Sequence, residues 1–397
     1  MAGIYIHIPY CRQACHYCDF HFSPDQRTKP AFLDALLSEL ELQSNYLNGE
    51  KIETIYFGGG TPSLLSNSEL KKIFDTLSQF YSINSDAEIT MEANPDDLSE
   101  EKISELKSSP VNRLSIGVQS FFDEDLRWMN RAHNQQQART CIKQARDAGF
   151  ENISIDLIYG LPESTNDKWV ENLKTAFDLN IRHLSCYCLT VEPRTALAHF
   201  ISIGKSKAPK EVQGAQQFEI LMKKIKEHGW MHYEISNFAC NAKFISQHNS
   251  AYWQRKKYLG LGPSAHSFNG TSRQWNVANN HKYIESISRG IIPFEREELT
   301  ATQRINERIM TELRTIWGLK ISDFGWPISD LLEEKSHPFI KDGFLKLYDN
   351  VIGLTDSGKL IADKIALELI FAEEEITALY SQLKHSPTAY QDQIPDC

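Results

Sequence analysis

Residues 4–18 of the chain read IYIHIPYCRQACHYC, a short apolar run followed at once by three cysteines. The run is rich in isoleucine and tyrosine, which suit a β-strand. Cys11, Cys15 and Cys18 have the spacing C-x3-C-x2-C. Three thiolates in one loop can each bind one iron atom of a cubane cluster, and the fourth iron then stays open to a small molecule. We therefore predict a 4Fe–4S cluster on these three cysteines.

A structural zinc site is the alternative interpretation of this loop. Structural zinc takes four protein ligands, usually as two pairs of cysteine or histidine. His7, His16 and His21 lie near enough in the sequence to be considered, but the chain has no second C-x2-C pair. The spacing therefore favours the iron–sulfur cluster.

Five further runs that suit β-strands follow, and amphipathic helical patterns separate them. The runs cover residues 52–57, 87–91, 113–118, 153–158 and 183–189. Six β–α units in succession imply a parallel sheet with helical crossovers. We predict an α/β fold with a partial (β/α)6 barrel, and a doubly wound open sheet is the alternative. In both architectures, ligands bind at the carboxyl ends of the strands.

Distinctive residues stand at the ends of these predicted strands. The cysteines follow the first strand, residues 58–61 (GGGT) follow the second, Glu92 follows the third, Gln119 follows the fourth, and Asp156 lies near the end of the fifth. Glycine lets a ligand approach the backbone closely, and a carboxylate can hold an ammonium group or ribose hydroxyls. Each feature alone also fits a turn or a surface side chain, but their shared position favours a binding site.

The alternation of strands and helices ends near residue 235. We expect a core domain over residues 1–235 and a loop-heavy connecting segment, rich in glycine, asparagine and serine, over residues 236–284. Residues 285–384 are expected to form a smaller, mainly helical domain of the winged-helix type. The tail, residues 385–397, is polar with two prolines and is expected to be disordered.

Composition excludes several classes of partner. The chain of 397 residues has a formal net charge of −10, whereas general binding of nucleic acid needs a basic surface. No stretch reaches about 18 consecutive apolar residues, so we expect no membrane span. Residues 1–9 do not resemble a secretion signal. We expect a cytoplasmic protein whose eight cysteines stay reduced and form no disulfide framework.

The cysteine spacing after the first strand resembles that of the radical SAM superfamily. More closely, residues 5–11 (YIHIPYC) resemble the oxygen-independent coproporphyrinogen III oxidase family, and the resemblance extends to about residue 268, with a weaker match in the C-terminal domain. It implies that S-adenosylmethionine (SAM) binds at the open iron of the cluster. The residues at positions that match the SAM site of the family are Gly59, Gly60, Thr61 and Glu92, with Gln119, Arg131 and Asp156 in the neighbouring part of the pocket and Tyr5 and Tyr17 beside the cluster.

Two departures from the oxidase pattern point to one branch of this family. The oxidases have a further cysteine two residues after the third, where this chain has Phe20. They also carry an extra N-terminal segment, whereas the cluster motif begins here at residue 11. Both features resemble the heme chaperone branch.

A third motif supports the same branch. Residues 247–253 (QHNSAYW) resemble an HNxxYW motif that is implicated in heme binding. Histidine is a competent axial ligand of heme iron, so we predict that His248 binds heme and that Tyr252 and Trp253 offer it flat surfaces. Arg255, Lys256 and Lys257 form a basic run that can pair with heme propionates. The alternative is that these side chains only pack the barrel.

Two functions follow from the resemblance. The first is a heme chaperone that binds heme and transfers it to an acceptor protein of unknown identity, built on a core that carries a 4Fe–4S cluster and SAM. The second is an oxygen-independent coproporphyrinogen III oxidase. The sequence leaves open whether SAM is cleaved, and the helical C-terminal part is compatible with a homodimer.

Overall fold

The structure of the protein, a computed structural model, describes residues 2–384, so the tail expected to be disordered lies outside the described residues. The chain divides into two compact units. The larger unit comprises the chain up to Met231 together with Ser236–Tyr252 and Lys256–Glu297. The smaller unit comprises His232–Ile235, Trp253–Arg255 and the chain from Glu298 onward.

The six predicted strands are all present in the larger unit, and each is within a few residues of its predicted bounds. They are β1 (Ala2–Ile8), β2 (Ile52–Gly59), β3 (Ile83–Ala93), β4 (Arg113–Gln119), β5 (Asn152–Tyr159) and β6 (His183–Cys188). The helices of this region are α1 (Lys29–Leu42), α2 (Asn67–Phe80), α3 (Glu100–Lys107), α4 (Asp123–Trp128), α5 (Gln135–Asp147), α6 (Asn166–Asp178), α7 (Ala196–Ser202) and α8 (Glu211–Glu227).

Further short elements follow α8. They are β7 (Met231–Glu234), β8 (Asn237–Ala239), α9 (Gln247–Trp253), β9 (Lys257–Leu261), β10 (His266–Phe268), β11 (Ser272–Asn276), α10 (Asn280–Ser288) and β12 (Phe294–Glu298). The sequence predicted a loop-heavy segment here. The strands escaped prediction because they have only three to five residues each and are stabilised by pairing with distant parts of the chain, as when β9 pairs with β1.

The sheet has the strand order β12-β11-β10-β9-β1-β2-β3-β4-β5-β6-β8-β7. Strands β1 to β6 are neighbours in sequence order, and each adjacent pair is parallel. A doubly wound sheet reverses its strand order at a switch point, and β1 to β6 contain no such reversal. The other neighbour of β1 is β9, so the sheet does not close between β6 and β1. The prediction of a partial (β/α)6 barrel is confirmed, and the doubly wound alternative is wrong.

Alternation along the strands separates the apolar core from the polar interior of the barrel. In β1, Ile4, Ile6 and Ile8 belong to the apolar core, so the intervening Tyr5 and His7 face the opposite side. The strand register brings residues of that opposite face into rows. Going from β1 to β5, one row contains Tyr5, Tyr56, Thr90, Arg113 and Asn152. Polar side chains are therefore concentrated inside the barrel.

A buried carboxyl group holds the segment after β9 in place. Glu39, on α1, is fully buried and accepts hydrogen bonds from the Gly262 N–H at 2.8 Å, the Tyr283 hydroxyl at 2.6 Å and the Asn276 amide at 2.6 Å. Burial raises the pKa of Glu39 to about 7. A single side chain of the first helix thus fixes residues more than 200 positions away in the sequence.

The smaller unit has its own apolar core, which includes Ile309, Leu332 and Ile352. Three of its strands, β13 (Leu319–Lys320), β14 (Leu345–Tyr348) and β15 (Val351–Leu354), form an antiparallel sheet with β15 in the middle. This set of helices and short strands agrees with the predicted small, mainly helical domain of the winged-helix type. The elements are α11 (Ala301–Glu312), β13 (Leu319–Lys320), α12 (Ile328–Lys341), β14 (Leu345–Tyr348), β15 (Val351–Leu354), α13 (Asp356–Lys359), α14 (Ala362–Leu369) and α15 (Glu373–Lys384).

Within residues 2–384, no helix combines the length and the apolar composition that crossing a membrane requires.

Candidate functional site

A cavity of about 350 Å³ lies at the carboxyl ends of the barrel strands. The last residues of β2, β3, β4 and β6 line it, as the rule for parallel sheets requires. Most of the residues singled out in the sequence meet in this cavity. They are Cys11, Cys15, Tyr17, Cys18, Gly59, Gly60, Thr61, Glu92, Gln119, Arg131 and Asp156.

Backbone hydrogen bonds and one side chain hold the cysteine loop in place. The Cys11 N–H donates to the Ser23 carbonyl at 3.1 Å, and the Ser23 N–H donates to the Pro9 carbonyl at 2.9 Å. Asn130, which has a positive φ of 59°, donates from its amide to the Ala14 carbonyl at 2.7 Å. Asn130, two residues after the end of α4, therefore fixes the middle of the loop, a role that no sequence signal indicated.

Two of the three cysteine sulfurs already have hydrogen-bond donors. The Thr61 hydroxyl donates to Cys11 Sγ at 3.3 Å, and Arg131 Nη1 donates to Cys15 Sγ at 3.3 Å. Such donors stabilise thiolates. Burial raises the pKa of Cys18 to about 12, so the thiolate form of this cysteine depends on a positive partner. Within the described part of the chain, no three His, Cys, Asp or Glu side chains meet to hold a single metal ion. A cubane cluster makes a different demand, because each thiolate binds a separate iron atom.

Asn94 connects the two sides of the cavity, and the sequence analysis gave it no role. Its Nδ2 donates to the Thr61 hydroxyl at 3.1 Å, and its Oδ1 accepts from Arg131 Nη2 at 2.5 Å. Arg131 Nη2 also donates to the Gly117 carbonyl at 2.7 Å. The only sequence signal was the position of Asn94 at the end of a strand, directly before a proline.

The glycine run is required by close packing. A Cβ atom on Gly60 would lie 2.7 Å from the carbonyl oxygens of Ile8 and Tyr10. Gly59 has a φ of +102°, and a Cβ atom on it would lie 2.5 Å from Cε1 of His7. No other residue type fits at either position without moving the cysteine loop or its neighbours.

Two buried carboxyl groups, those of Glu92 and Asp156, line the cavity. Burial and the nearby Asp156 raise the pKa of Glu92 to about 7, while the Tyr56 hydroxyl donates to Glu92 Oε1 at 2.7 Å. Burial likewise raises the pKa of Asp156 to about 6, and the Ser115 hydroxyl donates to Asp156 Oδ1 at 3.4 Å. A bound cation would favour the ionised form of both groups.

Gln119 and Tyr17 complete the lining. Gln119 ends β4 with a positive φ of 67°, a conformation that costs about 1–2 kcal/mol in a residue with a side chain. Tyr17 is half-buried between two cluster cysteines in the sequence, and burial raises its pKa. Both residues lie in the cavity where the sequence predicted them.

Tyr5 and the predicted heme residue His248 lie outside the residues that line the cavity. His248 is only 1 % exposed. Its Nδ1 is 2.7 Å from the Thr54 hydroxyl and its Nε2 is 2.9 Å from the Tyr252 hydroxyl. Its ring stacks on the ring of Tyr56 with a centroid distance of 5.0 Å, and Tyr5 stacks more loosely at 6.5 Å. Both ring nitrogens are thus engaged inside the barrel, so ligation of iron would require His248 to move.

The other residues predicted to meet heme are Trp253 and the basic run Arg255, Lys256 and Lys257. Trp253 ends α9, is half-buried and belongs to the smaller unit. In that unit, Arg255 lies 3.8 Å from Glu307. Lys257 is paired with Glu50 at 2.5 Å. Two of the cations predicted to meet propionates therefore already have carboxylate partners.

Comparison with known proteins agrees with this geometry. Residues 5–187 match the radical SAM superfamily, and residues 299–361 match the HemN C-terminal domain. Among solved structures, coproporphyrinogen III oxidase (HemN) from Escherichia coli, a radical SAM enzyme, matches with a TM-score of 0.80 and 25% identity. That match covers 93% of this chain and 90% of the other. Radical SAM proteins carry a 4Fe–4S cluster and SAM, and the thiols, glycines and carboxyls of the cavity fit both groups.

Curated relatives resemble the chain over nearly its whole length. Heme chaperone HemW of Bacillus subtilis is 37% identical over 92% of this chain and 98% of its own length. Heme chaperone HemW of Escherichia coli is 31% identical over 94% of this chain and 98% of its own length. The chain therefore belongs to the heme chaperone HemW family, on a radical SAM fold.

Proposed function

We propose that the protein is a heme chaperone, which binds heme and transfers it to an acceptor protein. The observation that carries the proposal is the similarity to proteins named heme chaperone HemW, at 31–37% identity over 90–94% of the chain in four bacteria. The oxidase alternative has less support, because HemN is only 25% identical and because Phe20 stands where the oxidase branch has a further cysteine.

The proposal includes a role for each part of the cavity. Cys11, Cys15 and Cys18 hold the 4Fe–4S cluster, and SAM lies in the remaining space. A reduced cluster supplies the electron that can break a C–S bond of bound SAM. The residues proposed to contact SAM, or to lie beside it, are Tyr5, Tyr17, Gly59, Gly60, Thr61, Glu92, Gln119, Arg131 and Asp156.

The side chains around this space have separate tasks. Thr61 and Arg131 donate hydrogen bonds to the sulfurs of Cys11 and Cys15 and so orient them toward the cluster. Glu92 and Asp156 attract the cationic groups of SAM. Gly59 and Gly60 leave the backbone accessible, since a Cβ atom would not fit at either position. The cavity thereby binds and orients SAM and shields it from water.

Heme binding at His248 is a further part of the proposal, with Tyr252 and Trp253 beside the porphyrin. It requires the Tyr252 hydroxyl to leave His248 Nε2, where it now lies at 2.9 Å. The burial of His248 means that heme enters only when α9 opens. A chaperone that binds and releases its cargo is compatible with such an opening step.

The test is a heme titration of the full chain with its cluster reconstituted. Hemin added to the protein should saturate near one heme per chain, and His248→Ala should weaken binding. Tyr252→Phe is the matched variant, because it frees Nε2 while it keeps the ring, and it should strengthen binding. Equal heme affinity in all three proteins would exclude His248 as the ligand. Conversion of coproporphyrinogen III under reducing, anaerobic conditions would instead favour the oxidase.

Three broader statements complete the proposal. We place the protein in the cytoplasm, where cluster thiols stay reduced until iron binds. The acceptor is a protein that takes heme directly from the loaded chaperone. Finally, the protein is a homodimer, and sedimentation of the holoprotein measures this oligomeric state.

A further inference from the structure

The HNxxYW motif lies directly beneath a residue of the SAM cavity. Thr54 and Tyr56 are two residues apart on β2, so their side chains lie on the same face of the sheet. Thr54 holds Nδ1 of His248 at 2.7 Å, and the His248 ring lies against the ring of Tyr56 at a centroid distance of 5.0 Å and an angle of 22°. The motif therefore contacts the ring of Tyr56, whose hydroxyl is hydrogen-bonded to Glu92.

Tyr56 transmits this contact to the cavity. Its hydroxyl donates to Glu92 Oε1 at 2.7 Å, and Glu92 lines the cavity. A tyrosine ring can orient its hydroxyl only if its own position is fixed. Tyr5 stacks on one side of Tyr56 at 6.1 Å, and His248 supplies the closer contact at 5.0 Å.

The histidine is itself held at several points. Glu88 accepts hydrogen bonds from the backbone N–H groups of Gln247 at 3.1 Å and His248 at 3.0 Å, which fixes the first residues of α9. Thr54 and Tyr252 then fix the two ring nitrogens. His248 is thus held at its backbone N–H and at both ring nitrogens, and a side chain held in this way is suited to keep a neighbouring ring in place.

We propose that His248 is a positioning residue for SAM binding, which acts by holding Tyr56 so that the Tyr56 hydroxyl orients the Glu92 carboxylate. The inference rests on the proposed contact of Glu92 with SAM. It gives the HNxxYW motif a task in the SAM site that is separate from any contact with heme.

The test measures SAM affinity by equilibrium dialysis in the full chain with its cluster reconstituted. Tyr56→Phe and His248→Ala should each weaken SAM binding by about tenfold, the effect of one lost hydrogen bond to a charged group. The double variant should lose no more than either single variant, because both act through the same contact. The electron paramagnetic resonance spectrum of the reduced cluster should respond to SAM only at correspondingly higher SAM concentrations in these variants.

Two controls separate positioning from general stability. Tyr81→Phe removes another buried hydroxyl, which donates to the Leu40 carbonyl at 2.9 Å, and it should leave SAM affinity unchanged. Thr54→Val keeps the shape of the side chain but removes the contact to Nδ1, so it tests the same path if His248→Ala does not fold. A lower melting temperature with normal SAM affinity in His248→Ala or Thr54→Val overturns the inference.

The variant Glu92→Gln separates the positioning role of His248 from the proposed contact of Glu92 with SAM. Normal SAM affinity in Glu92→Gln would overturn the proposed contact of Glu92 with SAM. Weak SAM binding in Glu92→Gln together with normal binding in His248→Ala would overturn only the positioning role. Additive losses in the double variant of Tyr56 and His248 would also overturn it.

Discussion

Changing the pH between about 6 and 8 should change SAM affinity through one carboxyl group. The pKa of Glu92 is raised to about 7 by burial and by Asp156. Near pH 6 most of the Glu92 carboxyl groups are protonated and neutral, and near pH 8 most are ionised. A cationic ligand binds the ionised form more tightly, so SAM affinity should rise with pH through this range.

The magnitude follows from the fraction of ionised carboxylate. For a pKa of about 7, that fraction is about one tenth at pH 6 and about nine tenths at pH 8. If only the ionised form binds, the dissociation constant should fall by about tenfold between the two pH values. Asp156, whose pKa is raised to about 6, adds about a further twofold.

The assay is anaerobic equilibrium dialysis of SAM against the cluster-loaded protein at both pH values. The amino group of SAM also titrates near this range, so the informative quantity is the ratio between the wild type and Glu92→Gln. The variant carries no titrating group at this position, and its affinity should depend on pH about tenfold less than that of the wild type. The same pH dependence of SAM affinity in both proteins would show that the dependence arises from SAM or from another residue and not from Glu92.

Three further outcomes are expected. Alanine at any one of the three cluster cysteines should abolish the absorbance at about 400 nm and lower the iron content after reconstitution, whereas Cys240→Ala should change neither. Glu39→Gln should lower the free energy of unfolding by about 2 kcal/mol near pH 5 in urea titrations, and by less near pH 8, because the wild type loses stability as pH rises through the raised pKa of Glu39. Gly59→Ala should weaken SAM binding, whereas Gly204→Ala, which shares the positive φ but meets no neighbour within 4 Å, should cost only stability.

The strands of the barrel could be predicted because their signals are local. Each of the six contains a run of β-branched and aromatic residues, and helical patterns separate them. The meeting of the candidate site residues of β2 to β5 in one cavity could be predicted for a related reason. A parallel sheet places the ends of all its strands at one edge, so sequence positions alone bring Glu92, Gln119 and Asp156 together.

The contacts within the site could not be predicted in the same way. Asn94 is useful because it lies between Thr61 and Arg131, and that position depends on three strands and a loop together. The burial of His248 is likewise invisible in the sequence. It results from the pairing of β9 with β1, two strands more than 200 residues apart, which brings the preceding helix into the barrel.

The two proposed tasks of His248 compete with each other. As an iron ligand, His248 must release the Tyr252 hydroxyl from Nε2 and turn its ring toward heme, so that the ring no longer lies against Tyr56. Heme bound at His248 should therefore weaken SAM binding, and by linkage saturating SAM should weaken heme binding by the same factor. Hemin titrations with and without SAM measure that factor. A heme affinity that is independent of SAM would mean that His248 does not serve both tasks.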